Sequence, residues 1–491
     1  MTDHSLLHEE RMTIDGELRY ASSGASFKNI NPATELCIGV VADGTAADMD
    51  AAISAARKAF DHTDWSTNRE LRVRCLRQLS ESLQRHKDEL RELVIAEVGS
   101  PRSFTYSAQL DEPLRSLDWV ANLTESYEFE TDLGRAEPLG MPSLRRLHRE
   151  AVGVVGAITP WNVPLQIILA KVGPALGAGN SVVLKPAPDT PWTATVLGRL
   201  VTEETDIPAG IFNVVTSSDH QLGAMLSNDP RVDLISFTGS TATGRKVMRD
   251  SSETLKRTFL ELGGKSAFVV LQDADLKAAV GTAAFMICTH AGQGCAITTR
   301  LVVPRAQFDE AVEIAASTMA ILPAADPQDP RTICGPLINA RQRDRVQSYI
   351  DLAIAEGGHA VTGGGRPADL SLGFFIEPTL LVGVPNSSRV NQEEIFGPVL
   401  TVIPHDGDED AVSIANDSTY GLSGAVWSED LDRAGRVANA IRTGTVSING
   451  GLWYAPDVPF GGYRQSGIGR EMGVAGFEEY LETKAIAEPT I

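Results

Sequence analysis

Cysteine is scarce in this sequence, basic residues are outnumbered, and no long apolar run is present. The five cysteines are scattered over 491 residues, and none falls in a Cys-x-x-Cys or Cys/His pattern. We therefore expect reduced thiols, no disulfide framework and no metal site. The 64 acidic residues exceed the 43 basic ones and give a net charge of -21. This charge opposes binding to the phosphate backbone of nucleic acid.

No apolar run approaches the roughly 18 residues that a membrane-spanning helix needs. Residues Met1 to His4 open the chain without the basic and apolar regions of a signal peptide. The composition, 43% hydrophobic and 22% charged, is typical of a globular protein. These features predict a cytoplasmic protein of two or three domains, with neither membrane nor nucleic acid as a partner.

From about residue 150 to residue 271, short β-rich runs alternate with helical stretches. We expect strands over 153–159, 182–184, 212–215 and 234–237, and helices over 164–176 and 193–204, near Leu222 and from about Thr241. This alternation predicts a doubly wound, mostly parallel sheet that binds ligands beyond the carboxyl ends of its strands.

A second alternating stretch runs from Asp275 to about Ala440 and predicts another α/β domain. We expect a helix over 276–286, a strand over 300–303 and a helix over 308–319. The two halves meet around residues 261–267, where a ligand could reach groups from both. Residues 143–152 and the last dozen residues fit either a projecting hairpin, whose edge another chain would cover, or a solvated loop.

Three residues stand out as candidates for chemistry. Cys295 lies between Gly294 and Ala296 and could be a nucleophile, which needs a positive or dipolar setting, or a small core residue. Asn162, between an expected strand and helix, fits either an oxyanion donor or a helix N-cap. Glu261 ends an apolar run and could be a general base or half of an ion pair.

Other residues suggest a dinucleotide site. The loop from Gly239 to Gly244 follows an expected strand and opens a helix whose amides could meet a pyrophosphate, although an ordinary βα turn explains it as well. Lys185 could reach ribose or phosphate, or be a solvated cap. Glu394 could bind ribose hydroxyls, while Phe396 packs against the cofactor or belongs to the core.

In this order, the motifs resemble those of the aldehyde dehydrogenase superfamily, in its non-acylating, NAD(P)-dependent branch. The likeness covers nearly the whole chain. It includes, besides the segments above, Asn31-Pro32-Ala33-Thr34, Pro160-Trp161-Asn162, Phe237-Thr238-Gly239-Ser240, Glu261-Leu262-Gly263-Gly264-Lys265, Gly292-Gln293-Gly294-Cys295, Glu394-Ile395-Phe396-Gly397-Pro398, Pro459-Phe460-Gly461-Gly462-Tyr463 and Ser466-Gly467-Ile468-Gly469-Arg470-Glu471.

The resemblance implies that Cys295 attacks an aldehyde, forming a thiohemiacetal that loses hydride to the nicotinamide and becomes a thioester. The Asn162 side chain and the Cys295 backbone N–H would hold the oxyanion, and Glu261 would activate water. Lys171 and Glu471 match positions linked to proton relay. The implied cofactor contacts are Ile158, Trp161, Lys185, Gly239, Ser240, Glu394 and Phe396.

The resemblance also implies an α/β fold with a Rossmann-like cofactor domain, an α/β catalytic domain and a small β oligomerisation element. The expected boundaries are 1–128 with 152–263 for the cofactor domain, 264–466 for the catalytic domain, and 129–151 with 467–491 for the oligomerisation element. A homodimer or homotetramer is expected.

Two features bear on specificity. Many NAD-preferring relatives carry a Glu where this chain has Pro188, which weakens the case for strict use of NAD. We expect NAD as the cofactor and keep NADP as an alternative. Positions that resemble pocket-lining sites are mostly apolar: Val163, Ile167, Ile297, Val458 and Phe460. Without an arginine for a second carboxylate or an evident aromatic cage, they predict an uncharged aliphatic, terpenoid or aromatic aldehyde as substrate.

Three other functions fit parts of the sequence. A CoA-acylating dehydrogenase would pass the thioester to a thiol, but Glu261 argues against it. A cofactor-independent cysteine esterase would need a histidine partner, and the nearest, His290, lies on a presumed helix. A non-catalytic protein could retain the fold alone. Cys288, the nearest spare thiol, is expected to be structural.

Overall fold

The structure, a computed structural model, describes residues 6–490, which form four β-sheets packed against α-helices. The opening residues, where no signal peptide is predicted, and Ile491 lie outside the described residues. Among residues 6–490, no helix combines the length and apolarity needed to cross a bilayer.

The first sheet has eight strands, five of them parallel and adjacent. From edge to edge they are Gly467–Ile468, Arg257–Glu261, Leu234–Thr238, Val154–Ile158, Ser181–Lys185, Phe212–Val214, Met12–Ile14 and Glu17–Arg19. The parallel strands are apolar and almost wholly buried, as expected where helices cover both faces of a sheet.

The strand order of this sheet reverses at one point. Val154–Ile158 is the first of the parallel strands in the chain. The next two parallel strands are added on one side of it, and Leu234–Thr238 is then placed on the other. The expected doubly wound sheet is therefore confirmed. The carboxyl ends of Val154–Ile158 and Leu234–Thr238 flank the crevice where such sheets bind ligands.

The second sheet has seven strands and forms the core of the second α/β unit. Its order is His359–Thr362, Thr379–Val382, Val399–His405, Thr298–Pro304, Ser266–Val270, Ser423–Trp427 and Thr445–Ile448. All neighbours are parallel except the first pair. The strand expected over 300–303 is thus longer than its apolar run.

Two smaller sheets are antiparallel. In the third, Ser143–Ala151 lies between Glu130–Ala136 and Leu481–Pro489, with Leu481 opposite Ala151 and Pro489 opposite Ser143. Residues 143–152 therefore belong to a hairpin rather than to a solvated loop. In the fourth, Ser26–Ile30 pairs with Cys37–Ala42.

The helices begin and end at recognisable signals. Pro164 and Pro191 lie in first turns, where a missing N–H costs nothing, and Gly179 ends a helix with φ +102. In chain order the α-helices are Ala46–His62, Arg69–Arg85, Lys87–Val98, Arg102–Thr105, Asp111–Ser126, Pro164–Ala178, Pro191–Glu204, Gln221–Asn228, Thr241–Ser251, Leu276–Cys288, Phe308–Ala320, Ala340–Ala355, Arg389–Gln392, Asp408–Asn416, Leu431–Ala440 and Gly473–Glu478.

Candidate active site

A cavity of about 370 Å³ lies between the first and second sheets, and Cys295, Glu261 and Asn162 all line it. Glu261 is the last residue of the strand Arg257–Glu261 of the first sheet. Cys295 lies three residues before the strand Thr298–Pro304 of the second sheet. The two units of the fold thus each contribute reactive groups to one cavity.

A tight turn carries the chain from the helix Leu276–Cys288 to Cys295. His290 and Ala291 have φ of +50 and +52, so His290 lies in this turn and not on a helix as expected. Gly292 has φ +68, and a Cβ there would collide with the Gly397 carbonyl group. A glycine is therefore required to bring this turn against the neighbouring backbone.

Cys295 does not lie in the positively charged or dipolar environment that was expected for a nucleophilic cysteine. The residue is half-buried. Burial and the carboxylates of Glu261, Glu394 and Glu471 raise the pKa of its thiol well above the usual value, against a smaller lowering by the Ala296 N–H. The free thiol is therefore protonated at neutral pH, and its reaction needs a base.

Glu261 has the properties of such a base. Its side chain is 1% exposed, and its Oε1 has no hydrogen-bond partner among residues 6–490. Burial raises its pKa well above the usual value, and the Glu471 carboxylate raises it further, whereas the Lys171 ammonium lowers it. A carboxylate with a raised pKa is a stronger proton acceptor near neutrality.

Lys171 and Glu471 meet beside Glu261 although they are 300 residues apart in sequence. Lys171 Nζ donates to Glu471 Oε1 at 3.0 Å. The two side chains are 0% and 6% exposed. A carboxylate, an ammonium and the base thus form one buried cluster at the edge of the cavity.

Asn162 lies in the loop between Val154–Ile158 and Pro164–Ala178 and is 4% exposed. Val163 is the N-cap of that helix, so the alternative in which Asn162 caps it is wrong. Asn162 Nδ2 donates to the Gln293 carbonyl oxygen at 2.9 Å. The other amide hydrogen remains for an oxygen in the cavity.

Several of the expected cofactor residues lie where the parallel strands end. Ile158 and Lys185 are the last residues of neighbouring strands, and Gly239 follows another. Lys185 is 3% exposed, with a pKa lowered to about 8 by burial, so it is not a solvated cap. Ser240 accepts from the Thr243 N–H at 3.3 Å at the start of the helix Thr241–Ser251.

The remaining expected cofactor residues lie near the catalytic group. The Trp161 and Phe396 rings meet edge to face, 5.4 Å apart. Phe396 is half-buried rather than part of a core. Glu394 Oε1 accepts from the Gly264 N–H at 3.1 Å, and burial raises its pKa to about 7.

The crevice at the strand reversal fits a polar ligand. Thr159 Oγ1 and Thr238 Oγ1 lie where its two flanking strands end, and both are buried without a hydrogen-bond partner among residues 6–490. Unsatisfied buried hydroxyls are costly unless a ligand or water completes them. Lys185 adds a buried cationic group to the same edge of the sheet.

The cavity beside Cys295 is mostly apolar. Of the expected pocket residues, Val163, Ile167, Ile297 and Phe460 line it, but Val458 does not, because it lies in a turn closed by its N–H to the Ala455 carbonyl group. Several other residues that were not predicted from the sequence also line the cavity, among them Phe104, Met286, Trp427, Trp453, Tyr454 and Met472.

Aromatic side chains thus line the cavity, which the sequence-based expectation of a mostly apolar pocket did not specify. The adjacent Trp453-Tyr454 pair was a signal for them in the sequence. Trp453 stacks on Phe460 with ring centroids 5.3 Å apart and planes 4° from parallel. No lysine or arginine is among the described residues that line this cavity.

The other cysteines do not compete with Cys295 for this position. All five cysteines are free thiols. Cys288 is fully buried, and burial raises its pKa to about 12. Its expected structural role agrees with this placement.

Known proteins resemble this chain over almost its entire length. The profile of the aldehyde dehydrogenase family matches residues 20–486. A 3-succinoylsemialdehyde-pyridine dehydrogenase of a Pseudomonas species is 41% identical over 476 residues, covering 96% of this chain and 97% of the relative. Betaine aldehyde dehydrogenase of Bacillus subtilis is 39% identical over 487 residues, covering 98% of each.

A solved structure gives the same result for the fold. A mutant of aldehyde dehydrogenase C from Pseudomonas syringae, in complex with NAD+ and octanal, superposes with a TM-score of 0.92 at 40% identity, covering 99% of this chain and 97% of that one. The family profile, the relatives and the solved structure each match nearly the whole chain, which therefore belongs to the aldehyde dehydrogenase family.

Proposed function

We propose that this protein oxidises an uncharged aldehyde to its carboxylic acid with NAD+, through a covalent intermediate on Cys295. One observation carries the proposal: Cys295, Glu261 and Asn162 converge on one apolar cavity between the two large sheets. The family resemblance expected from the sequence is confirmed, and aldehyde oxidation is the reaction of that family.

In the first half of the reaction, the Cys295 sulfur adds to the aldehyde carbon while Glu261 accepts the thiol proton. The oxygen of the aldehyde becomes an alkoxide. Asn162 Nδ2 and the Cys295 backbone N–H donate to that oxygen and stabilise its charge. A bound nicotinamide dinucleotide supplies the hydride acceptor through which this thiohemiacetal becomes a thioester.

In the second half, Glu261 takes a proton from the water that attacks the thioester, which releases the acid and restores the Cys295 thiol. Glu261 has to give up its proton between the two halves. The Lys171–Glu471 pair lies beside it and offers a route for that proton. Water is the acceptor in this scheme, so CoA is not needed.

We propose NAD as the cofactor, held by Lys185, Ser240 and Glu394 with the neighbouring Ile158, Trp161, Gly239 and Phe396. The carboxylates of Asp219, Asp43 and Asp189 surround Lys185 and act on its pKa. This negative field disfavours the extra phosphate of NADP, even though Pro188 replaces the glutamate common in relatives. The NAD+ complex of the Pseudomonas syringae enzyme supports this choice.

We propose an uncharged aliphatic, terpenoid or aromatic aldehyde as the substrate. The apolar and aromatic lining without lysine or arginine supports this class. The named relatives act on different aldehydes, a pyridine semialdehyde and betaine aldehyde, while octanal occupies the solved neighbour. Octanal has the chemistry that this cavity favours.

The domain assignment and the assembly are also proposals. Residues 1–128 and 152–263 would form the cofactor domain, 264–466 the catalytic domain, and 129–151 with 467–491 the oligomerisation element of a homodimer or homotetramer. The three larger sheets support this division except at one boundary, because the strand Gly467–Ile468 pairs with the first sheet and not with the third. The five free cysteines favour the reducing cytoplasm as its compartment.

The test is the absorbance of reduced nicotinamide with a panel of aldehydes and both cofactors. We expect octanal and aromatic aldehydes to exceed betaine aldehyde and semialdehyde acids in kcat/KM, and NAD+ to exceed NADP+. Cys295→Ala abolishes the signal, while Cys288→Ala, the matched control, retains it. Acyl-CoA formation, or ester cleavage without cofactor as the main activity, would favour the alternative functions.

A further inference from the structure

Two side chains outside the proposed chemistry bind the backbone of Asn162. His290 Nε2 and Gln109 Nε2 each lie 2.8 Å from the Asn162 carbonyl oxygen. The two nitrogens are 3.3 Å apart because both approach the same oxygen. His290 and Gln109 are 2% and 0% exposed, so water does not compete for these bonds.

The contact fixes the form of the His290 ring. A carbonyl oxygen can only accept, so Nε2 carries the hydrogen and Nδ1 is the bare nitrogen. Nδ1 is buried without a partner among residues 6–490, and burial lowers the pKa of His290 to about 4. The imidazole is therefore a neutral donor at neutral pH and does not fit the role of a general base for Cys295.

The turn around His290 binds both the backbone and the side chain of Asn162. His290 N–H donates to the Ile333 carbonyl group at 3.0 Å, and its ring stacks on Phe104 with centroids 5.6 Å apart. Three residues later, the Gln293 carbonyl oxygen accepts from Asn162 Nδ2. The same turn thus holds the Asn162 backbone through His290 and its amide through Gln293, two residues before Cys295.

We propose that His290 is a positioning residue that fixes Asn162 relative to Cys295 and so aligns the two oxyanion donors. This inference rests on the proposed function, because it assigns Asn162 the same role. His290 also lines the cavity, but its ring N–H is taken by the Asn162 carbonyl oxygen, so it would act through Asn162 and not on the reacting atoms. Its contribution must therefore depend on the presence of the Asn162 side chain.

A double-mutant cycle measures that dependence. His290→Phe keeps a ring that can stack on Phe104 but removes the donor, and we expect kcat to fall about tenfold with KM nearly unchanged. His290→Gln, which restores a donor, should recover most of the loss. In an Asn162→Ala background, His290→Phe should change kcat by less than about twofold.

His405 provides a matched control, since it is 3% exposed and its Nε2 lies 2.9 Å from the Val270 carbonyl oxygen, outside the cavity lining. His405→Phe should leave kcat unchanged, and circular dichroism checks the folding of each variant. Equal losses from His290→Phe with and without Asn162, or no recovery in His290→Gln, would overturn the positioning role. A wild-type kcat in Asn162→Ala alone would instead overturn the proposed oxyanion hole.

Discussion

Glu261 is the residue whose charge decides the pH range of the proposed reaction. Its pKa is raised first by burial, then by the Glu471 carboxylate, and it is lowered by the Lys171 ammonium. Thioester hydrolysis needs the carboxylate form, so kcat should rise with pH as Glu261 loses its proton. The two neighbours act on this pKa with opposite signs and can be separated by substitution.

Lys171→Met removes the ammonium that favours the Glu261 carboxylate, so its pKa rises and the rise of kcat moves to higher pH. Glu471→Gln removes a negative charge that raises the pKa of Glu261, so the rise of kcat with pH moves to lower pH. Profiles of kcat against pH at saturating substrate check both. Shifts in the same direction would contradict the cluster, and a melting curve controls for the unpaired buried charge that each variant leaves.

Single residues were only partly predictable from the sequence. Cys295 stood out because it lies beside a glycine, Glu261 because it ends an apolar run, and Asn162 because it lies between an expected strand and an expected helix. His290 and Gln109 did not, because their bonds to Asn162 join residues 128 and 53 positions apart and no local pattern marks them. The raised pKa of Cys295 was also invisible, since it comes from carboxylates brought together by folding.

At the scale of elements, a side chain from the helix Lys87–Val98 caps the N-terminus of the helix Pro191–Glu204. Thr190, the N-cap of Pro191–Glu204, makes no side-chain capping bond. Glu97, buried near the end of Lys87–Val98, accepts instead from the Trp192 N–H at 2.6 Å and from the Thr193 N–H at 3.0 Å. It also accepts from Thr193 Oγ1 and from Asn29 Nδ2, so four donors point at one carboxylate.

Glu97→Gln should lower the free energy of unfolding by about 1–3 kcal/mol, because an amide NH2 group cannot accept from these donors. Urea unfolding at pH 6 and at pH 8 measures the change. Burial raises the pKa of Glu97 to about 7, so its ionisation costs stability and the advantage of the wild type over Glu97→Gln should be smaller at pH 8 than at pH 6. Exposed Glu81 supplies the control, and Glu81→Gln should stay within about 0.5 kcal/mol of the wild type. Equal stability of all three proteins would disprove the cap.

Element boundaries followed the sequence closely where apolar periodicity and prolines marked them. The helix expected over 164–176 spans Pro164–Ala178, and that expected over 308–319 spans Phe308–Ala320. The turn at His290 and Ala291 was missed, because a positive φ is uncommon outside glycine and two consecutive non-glycine residues adopt it here. The contacts that this turn makes with the backbone of Ile333 and Gly397 join distant parts of the chain, so the local sequence does not predict them.

At the scale of the whole molecule, the third sheet presents an apolar hairpin tip to solvent. Leu139 and Met141, between the strands Glu130–Ala136 and Ser143–Ala151, are 97% and 63% exposed. Exposed apolar side chains next to a sheet edge are typical of a contact with another chain. They support the proposed oligomerisation element, which the residue pattern indicated as a hairpin and the family resemblance as a contact with another chain.

Replacing Leu139 and Met141 together by Glu should reduce the mass of the assembly, since four charged side chains or more would meet at a symmetric contact. Light scattering after size exclusion measures the mass. Leu255→Glu is the control, because Leu255 is 89% exposed but lies after the helix Thr241–Ser251. An unchanged mass in the double variant would show that the hairpin tip lies outside the interface.

The most direct test of the central claim is peptide mass spectrometry of Glu261→Gln after incubation with NAD+ and octanal. Glu261 is also the proposed acceptor of the thiol proton, so the incubation is run at alkaline pH, where hydroxide can take that proton and the thioester still forms. Without its base the variant should hydrolyse this thioester about 10²-fold or more slowly, so an octanoyl group accumulates on Cys295. Wild-type protein treated alike should show little adduct. Two results would contradict the covalent mechanism at Cys295. One is a Glu261→Gln variant that turns over as fast as the wild type and carries no adduct, and the other is an octanoyl group on a different residue.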